Sequence, residues 1–149
     1  MHPALLHTHN ALRWVVLVAG ILALVQAVGG LKGDRDYAPA RRVGVVFMAS
    51  LHLQLILGLL LFVVSPLVQQ AMGDMAATMK DAGTRFFIAE HPTLMVIAVV
   101  VATVGSIVAK NAKDDAAKHR KLLVFTAIAL LLLLAGIPWQ RPLMPGMGG

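Results

Sequence analysis

Four long apolar runs, at 11–31, 43–64, 92–109 and 122–137, are separated by shorter stretches that hold most of the polar residues. At about 1.5 Å of rise per residue each run is long enough, or nearly so with its flanks, to cross a hydrocarbon core of about 30 Å. None alternates with the period of two that a membrane-barrel strand requires, so the runs predict helices. The connections at 32–42 and 110–121 are short enough to force consecutive helices to run antiparallel. The expected fold is therefore an all-α integral membrane protein, a single-domain up-down-up-down four-helix bundle.

The stretch between the second and third runs is long for a small bundle, and such a loop tends to carry structure or function. Met72, Met75 and Met79 recur at i, i+3 and i+7, opposite Asp74 and Asp81, which predicts an amphipathic helix over about 67–82 lying on the outer surface. Arg85-Phe86-Phe87-Ile88 then dips back toward the interface before Pro92 opens the third helix. Gly20, Gly29, Gly30, Gly58 and Gly105 allow close helix packing. The tail 142–149, rich in Pro, Gly and Met, has no apolar periodicity and is expected to be poorly ordered.

Composition sharpens the membrane reading. Only 13% of the 149 residues are charged, against roughly 25% in a soluble protein, too few to solvate a surface. Cysteine is absent, which excludes disulfides, iron–sulfur clusters and covalent c-type haem attachment. The net charge of +6 has no basic stripe interleaved with aromatics, so nucleic acid is not the expected partner. Nine of the thirteen Lys and Arg residues lie in the two short connections; the others are Arg13, Lys80, Arg85 and Arg141. That asymmetry puts the short connections in the cytoplasm and both termini on the periplasmic side of a bacterial inner membrane. Without a basic segment before it, the first run is expected to be a retained span, not a cleaved signal peptide.

An ionisable side chain inside a span is a functional candidate, and His52 lies within the second run. Counted at 1.5 Å per residue from the cytoplasmic edges, His52 is about 14 Å deep, His91 about 27 Å and His9 about 33 Å. His9 and His91 thus fall within roughly 6 Å of one level near the outer face, whereas His52 and His91 differ by roughly 13 Å. Two axial ligands of one iron must share a level, so His9 and His91 are the expected pair. Arg13, four residues after His9, is placed either to anchor the helix at the interface with Trp14 or to bind a haem propionate or quinone carbonyl. His52 is either polar glue, with Gln26 or Gln54 as its partner, or a cofactor or quinone contact.

His119, among Lys118, Arg120 and Lys121, is expected in a patch that meets lipid headgroups or a partner. Glu90 either caps the third helix, pairs with Arg13 or Arg85, or relays protons. The chain carries no nucleotide-binding glycine loop, no nucleophile elbow and no paired carboxylates at helical spacing.

Five stretches together resemble a family of small four-helix bacterial membrane proteins labelled cytochrome B-like: His9-Asn10-Ala11-Leu12-Arg13-Trp14; His52-Leu53-Gln54 through Leu57-Gly58 to Ser65-Pro66; Arg85-Phe86-Phe87 to Glu90-His91; Lys118-His119-Arg120-Lys121; and Ile137-Pro138-Trp139. The resemblance covers nearly the whole chain except the Met-containing tail. It implies a non-covalent b-type haem, with His9, His52 and His91 as the positions to watch.

Three functions follow as expectations. The first is a haem b subunit, ligated by His9 and His91 with Arg13 on a propionate and His52 as alternative ligand or quinone contact, carrying electrons between quinone and a periplasmic or membrane partner. The second is a cofactor-free structural subunit of a larger respiratory or photosynthetic complex, or a homo-oligomer, held by apolar faces among lipids. The third is copper handling by His2, His7, His9, Met72, Met75, Met79, Met144 and Met147, since thioethers and imidazoles suit Cu(I).

Overall fold

The small residues of the spans set how closely the helices approach. The structure, a computed structural model, describes residues 2–32 and 35–139, the side chain of His2 excepted. Among these the chain is all-helical: α1 (His2–Leu31), α2 (Ala38–Val64), α3 (Pro66–Gly73), α4 (Met75–Lys80), α5 (Ala82–Arg85), a π-helical turn (Phe86–Glu90), α6 (His91–Lys110) and α7 (Asp115–Gly136). Four helices are long and apolar enough to cross a membrane: α1, α2, the continuous stretch Ala82–Lys110, and α7.

Each long helix extends beyond the apolar run that predicts it, because polar ends sit outside the hydrocarbon where the hydrophobic pattern is blind. The third span departs furthest. Instead of starting at Pro92, it starts at Ala82 and passes through the π turn, where the His91 amide donates to the Phe86 carbonyl. Proline has no amide proton and its ring disturbs the preceding turn, so a π turn just before Pro92 absorbs the misfit without ending the helix.

The outer amphipathic segment, expected as one helix, is two. Gly73-Asp74 breaks it, with Asp74 accepting a hydrogen bond from the Ala77 amide at 3.0 Å as the cap of α4. Thr78 Oγ1 then donates to the Ala71 carbonyl at 2.8 Å and folds α4 back on α3. Asp81 caps α5 through the Thr84 amide at 2.8 Å. The Thr84 hydroxyl, together with the Thr84 amide, holds the Asp81 carboxyl below the usual carboxylate range.

The four long helices form a bundle in which α1 packs on α2 and α7, and α6 on α7 and α2. The inward faces are lined by Ala19, Ala23 and Ala27 of α1 and by Ala98, Ala102 and Ala109 of α6, all buried. A Cβ on Gly20 would stand 2.7 Å from Leu130 and 2.8 Å from Phe47, and one on Gly105 would fall onto Phe125. At these two places glycine fixes the interhelical distance. Outward, Val18, Ile21, Val25, Ile56, Val63 and Leu131 are more than half exposed, as a lipid-facing surface would be.

The end holding the α6–α7 connection is closed by His119. Expected in a headgroup-binding patch, it is instead 2% exposed. Its Nε2 lies 3.1 Å from the Arg35 carbonyl, its ring stands edge-on to Tyr37 with centroids 5.4 Å apart, and it packs against Gly30, which has no Cβ to block it. The Tyr37 amide donates to Asp115 Oδ2 at 3.0 Å, and Lys118 Nζ donates to the other oxygen at 3.0 Å. Burial pushes the Tyr37 hydroxyl up from its ordinary value. His119 is a packing residue, turned inward because α1 offers it a glycine-sized gap. The tail 142–149, and with it Met144 and Met147, lies outside the described residues.

Candidate functional site

At the opposite end the helices splay around a cavity of about 590 Å³. The volume lies within the ~300–1,000 Å³ of small-molecule and cofactor sites. Leu51, Leu55, Met95, Val99 and Leu133 supply apolar walls, and the polar groups facing it include His9, Arg13, Gln54 and His91. The first residues of α3, Pro66 to Val68, lie over it. A chain that folds back at Ser65-Pro66 so that α3 caps the bundle encloses this space.

His9 and His91, expected at one level, have ring centroids 6.4 Å apart and ring planes inclined by 72°. The His91 Nδ1–H donates to the Gly136 carbonyl at 2.6 Å, since a carbonyl only accepts. That bond fixes the tautomer and leaves Nε2 with its lone pair. His9 Nδ1 is buried without a hydrogen-bond partner, and so is Gln54 Oε1. The Gln54 Nε2 donates to the His9 carbonyl at 2.9 Å and ties α2 to α1 at this level. Gly58 faces the imidazole: a Cβ there would stand 3.3 Å from His9 Cε1. The Arg13 guanidinium borders the cavity and lies over the Trp14 ring at 5.7 Å.

His52 is elsewhere. It is exposed on the outer surface of α2, its Nδ1 2.8 Å from the Met48 carbonyl and its Nε2 3.4 Å from Thr103 Oγ1 on α6. Neither Gln26 nor Gln54 is its partner in these contacts. Glu90 pairs with Arg85 at 2.8 Å, both about half exposed, and makes no side-chain cap on α6.

Sequence reasoning missed Gln54 and Gly58 as members of the site. Their signal is the spacing Phe47, Leu51, Gln54, Gly58, Leu61, a stripe of alternating three and four residues that turns one face of α2 inward. It also missed a second pocket of about 550 Å³, lined by Asp81, Thr84, Phe86 and Trp139, which shares Phe87, Ile137 and Pro138 with the main cavity.

Among the described residues no group of three or more His, Cys, Asp or Glu could hold a metal ion. A haem iron asks less of the protein, because the porphyrin supplies four ligands and side chains only the axial ones. Met72, Met75 and Met79 are exposed and divided between α3 and α4. Comparison with family models, with curated proteins and with solved structures finds no match to this chain.

Proposed function

We propose that the cavity holds a b-type haem, with His9 and His91 as axial ligands and Arg13 toward a propionate. The observation that carries this reading is the pair of half-buried imidazoles, 6.4 Å apart, bordering one largely apolar cavity. The chemistry of the donors fits as well. His91 has one nitrogen committed to a backbone carbonyl and the other left as a ligand, the arrangement that orients metal-binding imidazoles. His9 offers a buried nitrogen that nothing in the protein satisfies.

A bound haem supplies one-electron redox chemistry. The chain's own residues do the rest: Leu51, Val99 and Leu133 exclude water, which lowers the local dielectric. Gln54 steadies the helix that bears His9, and Arg13 brings a positive charge to the cavity mouth.

In the wider reading the bundle runs up-down-up-down in a bacterial inner membrane, both termini and the cavity at the periplasmic side and the basic connections in the cytoplasm. It passes electrons between a quinone and a periplasmic or membrane partner, as a subunit of a larger membrane complex or a homo-oligomer among lipids.

The test is the absorption spectrum of the purified chain, oxidised and after dithionite. A Soret band that shifts on reduction and is lost in His9→Ala and His91→Ala is the expected result. A haem-supplied preparation without that band overturns the reading in favour of a cofactor-free structural subunit.

A further inference from the structure

The hydrogen bond between His52 on α2 and Thr103 on α6, at 3.4 Å, fixes the register of the seam between these helices. α6 ends at Lys110, shortly before α7 begins at Asp115, and the Tyr37 amide at the start of α2 donates to Asp115 at 3.0 Å. The end of α6 and the start of α2 therefore share one end of the bundle, and the two helices run antiparallel.

Arg41 lies eleven residues before His52, three turns and about 20° away and about 16 Å along the axis. Lys110 lies seven residues after Thr103, two turns less about 20° and about 10 Å along. Both therefore sit on the stripes that face the seam, within about 6 Å of one level, and both are exposed. On the same stripes, between these cations and the His52–Thr103 bond, are Val45 and Ile107, also exposed. The seam joins the least covered spans: α2 and Ala82–Lys110 are 22% and 28% buried, against 39% for α1 and α7.

No acid answers the two cations. Among the described residues the ion pairs are Arg85–Glu90, Lys113–Asp114 and Lys118–Asp115. Asp36 accepts from the Ala38 amide at 3.0 Å and Asp114 from the Ala117 amide at 2.7 Å, so the described acids nearby serve as local caps and ties. The helix dipole favours Lys110 at the end of α6 but opposes Arg41 in the first turn of α2. Two like charges at the rim of an exposed apolar seam are complementary to an anion that carries an apolar tail.

We propose that this seam binds one anionic phospholipid, its phosphate between Arg41 and Lys110 and an acyl chain along Val45 and Ile107. The guanidinium and the ammonium donate charge-assisted hydrogen bonds to the phosphate oxygens. A zwitterionic lipid brings the same phosphate with a cation attached, which the pair repels. The bound lipid covers the seam that the chain itself leaves most open and holds α2 to α6. Haem plays no part in this site, so the two readings stand or fall separately.

The experiment is native mass spectrometry of the delipidated full chain in detergent, titrated with dioleoylphosphatidylglycerol and with dioleoylphosphatidylcholine. Wild type is expected to retain one phosphatidylglycerol about tenfold more tightly than phosphatidylcholine. Arg41→Gln and Lys110→Gln should each weaken that binding about fivefold with helical content unchanged. Arg42→Gln removes the same charge about 100° further round α2 and should leave binding nearly as it was. Equal binding of the two lipids by wild type overturns the proposal. So does an equal loss in Arg42→Gln, since the attraction would then be the diffuse field of a basic end. Displacement of the lipid by millimolar inorganic phosphate also overturns it, in favour of a site for the free anion.

Discussion

The two ends of the bundle treat histidine in opposite ways. At one end His119 is sealed: glycine on α1 makes room for its ring, Tyr37 covers it, and the Arg35 carbonyl takes one of its nitrogens. At the other, His9 and His91 border the cavity, and glycine on α2 makes room beside the His9 ring. The same residue type, each time beside a glycine, serves packing where neighbours close around it and borders a cavity where they stand back. Burial alone does not separate the two, because His119 Nδ1 and His9 Nδ1 both lack a partner. The space around the ring does.

The largest effect that would break this comparison is at the sealed end. His119→Ala should lower stability by about 3 kcal/mol, through a cavity and a lost hydrogen bond, in denaturant titrations of the detergent-solubilised protein. His91→Ala should do the reverse, abolishing haem uptake while leaving the unfolding free energy of haem-free protein within about 1 kcal/mol of wild type. If His91→Ala costs as much as His119→Ala, the ends do not differ and the cavity is ordinary packing.

Gly58→Leu should fill the space beside His9 and reduce haem affinity about tenfold with little loss of helical content, read by haem titration. Gln54→Leu breaks the bond to the His9 carbonyl and should cost about 1 kcal/mol.

The smallest effect is pH-dependent. Because the folded-state pKa of Asp81 lies below its unfolded value, the cap on α5 is fully in place above the ordinary carboxylate range and is lost as pH falls through the folded value. The protection of the Thr84 amide, its exchange rate taken relative to the intrinsic rate at each pH, should therefore fall on acidification, and Asp81→Ala should show the lower protection already at neutral pH.

The four long helices were legible from the apolar runs, because backbone polar groups in a membrane must be satisfied within the helix. The site was legible only in part. Counting residues from the membrane edges put His9 and His91 at one level, since helical rise is fixed whatever the side chains do. It could not say which way His52 points: lipid and bundle interior are both apolar, so hydrophobicity does not distinguish the faces of α2. The small residues do, and the stripe through Gln54 and Gly58 leaves His52 off it. His119 was misread because its basic neighbours dominate the local sequence, while the glycine that receives it lies on another helix, at Gly30. The break at Gly73-Asp74 was readable as a helix stop followed by a cap, and it was obscured by the methionine spacing that runs across it.

The π turn at Phe86–Glu90 makes the length of this segment part of its specification. It holds one residue more than an α-helix would need, so deleting a single residue there would let the turn relax to α geometry. The turn takes up its extra residue within a single loop of helix, so after such a deletion the segment before it would keep nearly its present orientation to α6, with Phe87 still close to the cavity wall. A deletion from the regular α-helical turn that follows Pro92 would instead rotate everything before it by about 100°. Single-residue deletions between 86 and 90 should therefore be tolerated and those between 93 and 97 should disrupt the outer cover, a division that a deletion scan of the segment would map residue by residue.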